Sequence, residues 1–110
     1  MTMNQTVIRV SSDSTPNRVA GAIAKAIRGQ QSAEARAIGP NAVNQMVKAV
    51  ALAQRYVAPE AIQIYCIPSF VDVIVDGDVR TAVSLRLVST APDAVLGVWL
   101  DNVVESVGNS

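Results

Sequence analysis

Two segments of the sequence share the same helix start, and this repeat restricts the fold more than any other feature. The segments "TPNRVAGAIAKAI" and "GPNAVNQMVKAVA" both contain Pro-Asn-x-Val, and each follows a short apolar run typical of a strand. Proline suits the first position of a helix, where its missing N–H is not needed. Two consecutive strand–loop–helix units form a crossover, so we expect parallel strands with both helix N-termini at one edge of the sheet.

The first unit predicts a strand over residues 6–11 and a helix that begins at Pro16 with Thr15 as its N-cap. We expect Gly29 to end this helix. The helical period predicts a buried face made of Val19, Ile23, Ala26 and Ile27. It predicts an exposed face made of Arg18, Gly21, Lys25 and Arg28.

The second unit predicts a strand over residues 33–38 and a helix that opens at Gly39-Pro40 and ends before Pro59. Its predicted inner face contains Val43, Met46, Val47, Val50, Ala53 and Val57. Three amides and a lysine fall on one outer stripe, at i, i+3, i+4 and i+7: Asn41, Asn44, Gln45 and Lys48. Either the stripe is a solvated face or it is a contact surface, and in the second case Leu52 and Arg55 extend it as a protein interface.

From residue 62 the period changes to that of strands. The runs "IQIYCI" and "RTAVSLRLV" flank Asp76-Gly77, which is typical of a tight hairpin turn. Pairing of Val75 with Asp78 extends the ladder past Pro68, which must then lie on an edge strand or at a bulge. We therefore predict a long hairpin with an acidic tip beyond the sheet, and we expect Cys66 to be buried in its first strand.

The segment after Val88 predicts a cap and then an apolar helix that starts at Pro92. This helix would pack on its own domain or contact another chain. We therefore divide the sequence into an α/β domain, residues 1–90, and a C-terminal helical extension, residues 91–110.

Composition excludes several classes of function. A chain of 110 residues that is 50% hydrophobic and 16% charged is a globular domain, and it has one cysteine and no histidine. It can form no internal disulfide, and with one cysteine and no histidine we expect no metal site and no cofactor. We also expect no enzyme, because histidine, the usual base at neutral pH, is missing. No apolar run approaches the ~20 residues of a membrane span, and the N-terminus is too polar for a signal peptide, so we expect a cytoplasmic protein.

The formal net charge of zero conceals two halves of opposite sign. Up to Ala58 the chain has seven basic and two acidic residues, and from Pro59 onward it has two basic and seven acidic residues. Such a separation can orient a partner or drive head-to-tail association.

Three ordered segments, "TPNRVAGAIA", "AIGPNAVNQMVKAVALAQ" and "CIPSFVDVIVDGDVRTAVSLRL", resemble the stage V sporulation protein S family from Val7 to Val88. The resemblance implies a small cytoplasmic bacterial regulator of sporulation or development. That family in turn is similar to Alba proteins, which implies a two-layer α/β sandwich, β-α-β-α-β-β, with a mixed four-stranded sheet. Alba proteins dimerise and bind DNA or RNA through lysines before the first helix and a basic hairpin. Here that loop, residues 11–15, has no lysine and the hairpin is acidic.

The sequence therefore predicts a site at the edge where the two helices begin. Helix N-termini offer free N–H groups and partial positive charge, which suit phosphate. The candidate residues are Ser14, Thr15, Asn17, Arg18, Lys25, Arg36, Gly39, Asn41, Asn44, Gln45 and Lys48. Our first hypothesis is a non-enzymatic regulator that binds DNA or RNA weakly through this basic face. The alternative is a homodimeric protein-interaction module without nucleic-acid binding, with Leu52 and Arg55 in its interface.

Overall fold

The structure of the protein is a computed structural model, and it describes residues 6–30 and 32–90. The elements follow the predicted order, β-α-β-α-β-β, with a short 3₁₀ turn, Ala58–Glu60, after the second helix. The strands are β1 (Val7–Val10), β2 (Ser32–Ala37), β3 (Gln63–Val75) and β4 (Asp78–Thr90), and the helices are α1 (Pro16–Gln30) and α2 (Pro40–Val57).

The four strands form one mixed sheet in the order β1-β2-β4-β3. The β1–β2 pair is parallel, and the other two pairs are antiparallel. Because β1 and β2 are parallel, α1 and α2 start at the same edge of the sheet, as the repeated helix start predicted.

The core lies between the two helices and one face of the sheet. The side chains of Ala33, Ala35 and Ala37 on β2 are buried, at 0–2% exposure. Because these residues alternate along β2, they all point to the helical side, and Glu34 and Arg36 point to the opposite, open face. This alternation gives the sheet one face that the helices cover and one open face.

The hairpin of β3 and β4 is the longest feature of the sheet and matches the prediction. Val75 pairs with Asp78, and both turn residues have positive φ, 51° at Asp76 and 83° at Gly77. Pro68 lies on β3, an edge strand, where a missing N–H leaves no ladder bond unmade. Since β2 pairs with β4 only from residue 83 to 88, and these residues pair with residues 65–70 of β3, the hairpin projects beyond the sheet as an arm, residues 71–82.

Two predictions about the helices are wrong. Gly29 does not end α1, which continues to Gln30, and Gly29 does not have the positive φ of a C-terminal glycine cap. Val47 is not in the core, because its side chain is 53% exposed. The buried face of α2 contains the predicted Met46, Ala53 and Val57 together with Ala42 and Ala49, whose small side chains allow close approach to the neighbouring elements.

The predicted burial of Cys66 is also wrong. It lies in β3, as expected, but its side chain is exposed because β3 is at the edge of the sheet. Partial desolvation raises the pKa of the Cys66 thiol, which keeps it protonated at neutral pH. The predicted C-terminal helix, residues 91–110, lies outside the described residues.

Candidate functional site

The loop between β1 and α1 is closed by its own hydroxyl groups. The Ser11 N–H donates to Ser14 Oγ at 2.9 Å, and the Ser14 N–H donates to the Ser11 carbonyl at 3.1 Å. The carbonyl of Thr15 accepts the N–H of Val19 at 3.1 Å, which places Thr15 at the predicted N-cap position. Ser14 therefore has a structural role in the turn.

The loop before α2 depends on the backbone freedom of Gly39. Its φ of 87° and ψ of 158° belong to a region that only glycine occupies readily. The Gly39 carbonyl accepts the N–H of Val43 at 3.0 Å, but no side chain caps the helix. The first turn of α2 thus keeps backbone donors that no capping side chain uses.

Gln45 joins the two helix starts. Its Nε2 donates to the Ser14 carbonyl at 2.9 Å, so the start of α1 and the first half of α2 are held together. This contact confirms that the two loops meet at one edge. It also removes Gln45 from the solvent stripe on which its spacing placed it, because its side chain is half-buried against the neighbouring loop.

From this edge a basic outer surface extends along both helices, as far as the last turn of α2. We name it the helical face; its polar residues are exposed and comprise Asn17, Arg18, Lys25, Asn41, Asn44, Lys48 and Arg55. Neither α1 nor α2 contains an acidic residue. Of the cations on the two helices, Arg28 is paired, with its Nη2 atom 2.6 Å from Glu60 Oε2. The other helical cations form no ion pair with any residue that the structure describes.

Arg36 does not lie with the other predicted residues. It belongs to the open face of the sheet, where its Nε donates to Glu34 Oε2 at 2.6 Å. Glu34 also accepts a hydrogen bond from Ser84 Oγ at 2.7 Å. Hydrogen bonding from Arg36, followed by that from Ser84, lowers the pKa of Glu34 despite its partial burial.

Beside Arg36 the structure shows a groove that the sequence did not predict. It has a volume of about 770 Å³ and lies between the ends of β1 and β2 and the arm. Arg9 and Arg80 line it together with Arg36. The alternation of "VIRV" and "EARA" indicated outward-facing arginines, but only the strand order and register bring Arg9 beside Arg36.

The predicted interface residues differ in exposure. Arg55 is exposed in the last turn of α2, and Leu52 is half-buried because it packs against the core. The most exposed large apolar side chains lie on the arm and at its base: Phe70, at the base, is 78% exposed, and Ile74 and Val79, on the arm, are 77% and 68% exposed.

Comparison with known protein families identifies the family of the chain. The sequence pattern of the family described as Stage V sporulation protein S (SpoVS) matches residues 6–90, from the start of β1 to the end of β4. The chain belongs to this family. The SpoVS match covers all the described elements, and their β-α-β-α-β-β order is consistent with the Alba-like superfamily.

Two features of the described part of this SpoVS protein bear on its partners. Neither of its described helices is both long enough and apolar enough to cross a membrane. Among residues 6–30 and 32–90, no three side chains of the metal-binding types lie together as a potential metal site.

Proposed function

We propose that this SpoVS protein is a non-enzymatic regulator that binds the phosphate backbone of DNA or RNA through its helical face. The observation that supports this most is the charge of the two helices, whose 15 and 18 residues contain cations and no acid. Phosphate contacts of this kind provide most of the non-specific affinity for nucleic acid.

The arrangement of the cations suits an extended anion. Arg18 and Lys25 are separated by two turns of α1, and Lys48 and Arg55 by two turns of α2, which corresponds to about 10 Å in each case. A small anion cannot contact both members of such a pair, but a polymer of phosphates can.

Exposed amides and backbone donors complete this surface. Asn41 and Asn44 are exposed beside Lys48, and amide side chains can donate to phosphate or to base edges. The start of α2 contributes its partial positive charge and its N–H groups. We therefore place the first phosphate contact near Asn41, with Arg18 and Lys48 on either side.

The arm takes no part in this contact. Asp72, Asp76 and Asp78 are all exposed on it, and they would be repelled by phosphate. This distribution reverses the charge of the hairpin with which Alba proteins contact nucleic acid.

A salt titration tests the proposal. Labelled single- and double-stranded DNA and RNA are titrated with the protein at two salt concentrations. We expect the double variant Arg18→Gln/Lys48→Gln to weaken binding to every sequence and to reduce the slope of log K against log salt by about 2, one for each cation removed.

Arg86→Gln is the matched control, because Arg86 is an exposed arginine on the open face of the sheet. It should bind like the wild type. Absence of binding at low salt, or equal loss in the control, would contradict the proposal.

A second candidate function is self-association through the arm. Phe70, Ile74 and Val79 lie on one face of the hairpin, since Ile74 pairs with Val79 and Phe70 is an even number of residues away. The exposed acids beside them complement the basic helical face of a second copy. This alternative predicts a homodimer without nucleic-acid binding.

Light scattering distinguishes the alternative. Phe70→Ser should give a monomer mass, whereas Ile67→Ser, on the other face of the same strand, should leave the dimer intact. Arg55→Glu, at an exposed position of α2, should also give a monomer if the α2 stripe is part of the interface. A monomeric wild type would exclude this alternative.

A further inference from the structure

The groove on the open face is lined mainly by basic side chains among its charged residues. Its polar lining includes three arginines, Arg9, Arg36 and Arg80, and the loop residues Ser11 and Ser12. Asp72 also lines it, and its Oδ1 accepts a hydrogen bond from Thr81 Oγ1 at 3.2 Å. The lining therefore has an excess of positive charge.

Two of these arginines are direct neighbours in the sheet. Arg9 and Arg36 are partners in the parallel β1–β2 pair, where strands lie about 4.8 Å apart. Like charges in such positions destabilise a sheet. Glu34 can neutralise one of the two guanidinium groups, so an anion bound across both would remove the remaining repulsion.

Arg36 is held in place before any ligand arrives. Glu34 accepts its Nε at 2.6 Å and its Nη2 at 3.3 Å, and Ser84 in turn holds Glu34. A guanidinium has five N–H donors, so donors remain after this pairing. Arg9 and Arg80 are exposed and form no ion pair with any residue in the described ranges.

The rest of the groove is apolar and of limited size. Val73 and Val75 are half-buried and line the side formed by the arm, and Ala37 and Ala82 are buried. A volume of about 770 Å³ lies within the range of small-molecule sites. Such a groove suits a compact ligand with a charged end and a less polar body.

We propose that this groove binds a small organic phosphate of about nucleotide size. The phosphate lies across Arg9 and Arg36, with Arg80 as a third cation, and the less polar part of the ligand contacts Val73 and Val75. Arginine is suited to this role because its planar N–H groups match two phosphate oxygens at once.

The proposal does not depend on nucleic-acid binding by the helical face. Arg9 and Arg36 point to the open face of the sheet, and Arg18 and Lys48 lie on the helices, so each pair of cations can be substituted without changing the other pair. A polynucleotide also contains phosphate, and the experiment must therefore separate a free phosphate ester from a phosphate in a polymer.

Adenosine 5′-monophosphate, adenosine, inorganic phosphate and an oligonucleotide without terminal phosphate are titrated into the full-length protein. The Nε–Hε NMR signals of Arg9, Arg36 and Arg80 report binding. We expect saturable shifts with the nucleotide, competition by inorganic phosphate and no response to adenosine. Arg9→Gln should weaken nucleotide binding about tenfold, the typical effect of losing a charge-assisted contact.

Three variants make the result specific. Arg80→Gln should also weaken nucleotide binding without disturbing the Glu34–Arg36 pair. Arg86→Gln lies on the same face outside the groove and should bind like the wild type, as should Arg18→Gln/Lys48→Gln. The proposal is overturned if the nucleotide causes no saturable shift, if Arg86→Gln weakens binding equally, or if only the oligonucleotide binds.

Discussion

At the scale of single residues, Glu34 shows how the open face is organised. Its carboxylate accepts hydrogen bonds from Arg36 and Ser84, and its side chain is 16% exposed. These bonds lower the pKa of Glu34 below its ordinary value of 4.5. A lowered pKa in the folded state means that the ionised carboxylate stabilises the fold above the pKa of the unfolded chain. This contribution is lost as the pH falls through the folded pKa.

We therefore predict that Glu34→Gln lowers the free energy of unfolding at neutral pH by about 1–2 kcal/mol. The difference from the wild type should shrink as the pH falls through the lowered pKa of Glu34, because the wild-type carboxyl is then protonated too. Urea unfolding at pH 7, 5 and 3 measures this. A difference that stays constant across the three pH values would contradict the prediction.

Glu60→Gln is the control for that series. Hydrogen bonding from Arg28 lowers the pKa of Glu60 in the same direction, but both side chains are exposed, at 46% for Arg28 and 43% for Glu60. Solvent screens such a pair, so its effect on stability should be the smaller of the two.

Residue-level features of the site were predictable only where local chemistry decides them. The exposure of Asn41, Asn44 and Lys48 follows from helical spacing, and the structure confirms it. Gln45 has the same spacing, yet it bonds to a loop that is distant in the sequence. Cys66 is apolar by type, but its exposure depends on the position of β3 at the sheet edge. Such contacts depend on tertiary structure.

At the scale of elements, a glutamine fixes the end of α2 to the beginning of β3. Gln54 Nε2 donates to the Ile62 carbonyl at 3.0 Å, and its Oε1 accepts the Ile64 N–H at 2.7 Å. One amide thus satisfies a backbone acceptor and a backbone donor of the connection between the two elements. These two hydrogen bonds of Gln54 orient the long hairpin relative to the helices.

We predict that Gln54→Met destabilises the fold by about 1–3 kcal/mol, because the variant leaves two partly buried backbone groups without partners. Methionine keeps most of the volume and the helix propensity of glutamine. Thermal and urea unfolding measure the loss. Gln45→Met is the matched control on the same helix, since it removes one hydrogen bond, to the Ser14 carbonyl, and should cost less. Equal losses of stability in the two variants would show that the two Gln54 hydrogen bonds contribute no more than the one Gln45 hydrogen bond.

The elements themselves were largely predictable from the sequence. Period and turn chemistry identified both helix starts, and the Asp76-Gly77 turn gave the register of the hairpin, which the structure confirms. The predicted end of α1 was wrong because Gly29 does not adopt a left-handed conformation, and the helix continues for one more residue. Glycine permits a helix end without requiring one.

At the scale of the whole molecule, the fold sorts charge onto separate surfaces. The helical face is basic, the arm is acidic, and the groove on the opposite side of the sheet has its own arginines. The opposite charges of the two sequence halves were visible in the sequence. The groove was not, because it needs the parallel register of β1 and β2 and the approach of the arm.

The division at residue 90 makes a prediction for the whole chain. The SpoVS pattern ends at residue 90, and the pair Gln63–Thr90 closes the last ladder of the described sheet. A chain that ends at Thr90 should therefore keep its core and both proposed sites. We expect its Tm to stay within about 4 °C of the full-length value, which corresponds to less than about 1 kcal/mol.

Circular dichroism melting of the two chains, with nucleic-acid titration at one salt concentration, measures both properties. Equal melting and equal affinity would establish residues 1–90 as an independent domain. A much larger fall in Tm would show that residues 91–110 cover apolar surface of the domain, and the exposed Phe70 at the base of the arm would be the first place to look for their contact. An unchanged Tm with weaker binding would instead assign residues 91–110 to the nucleic-acid contact, because stability and affinity would then depend on different parts of the chain.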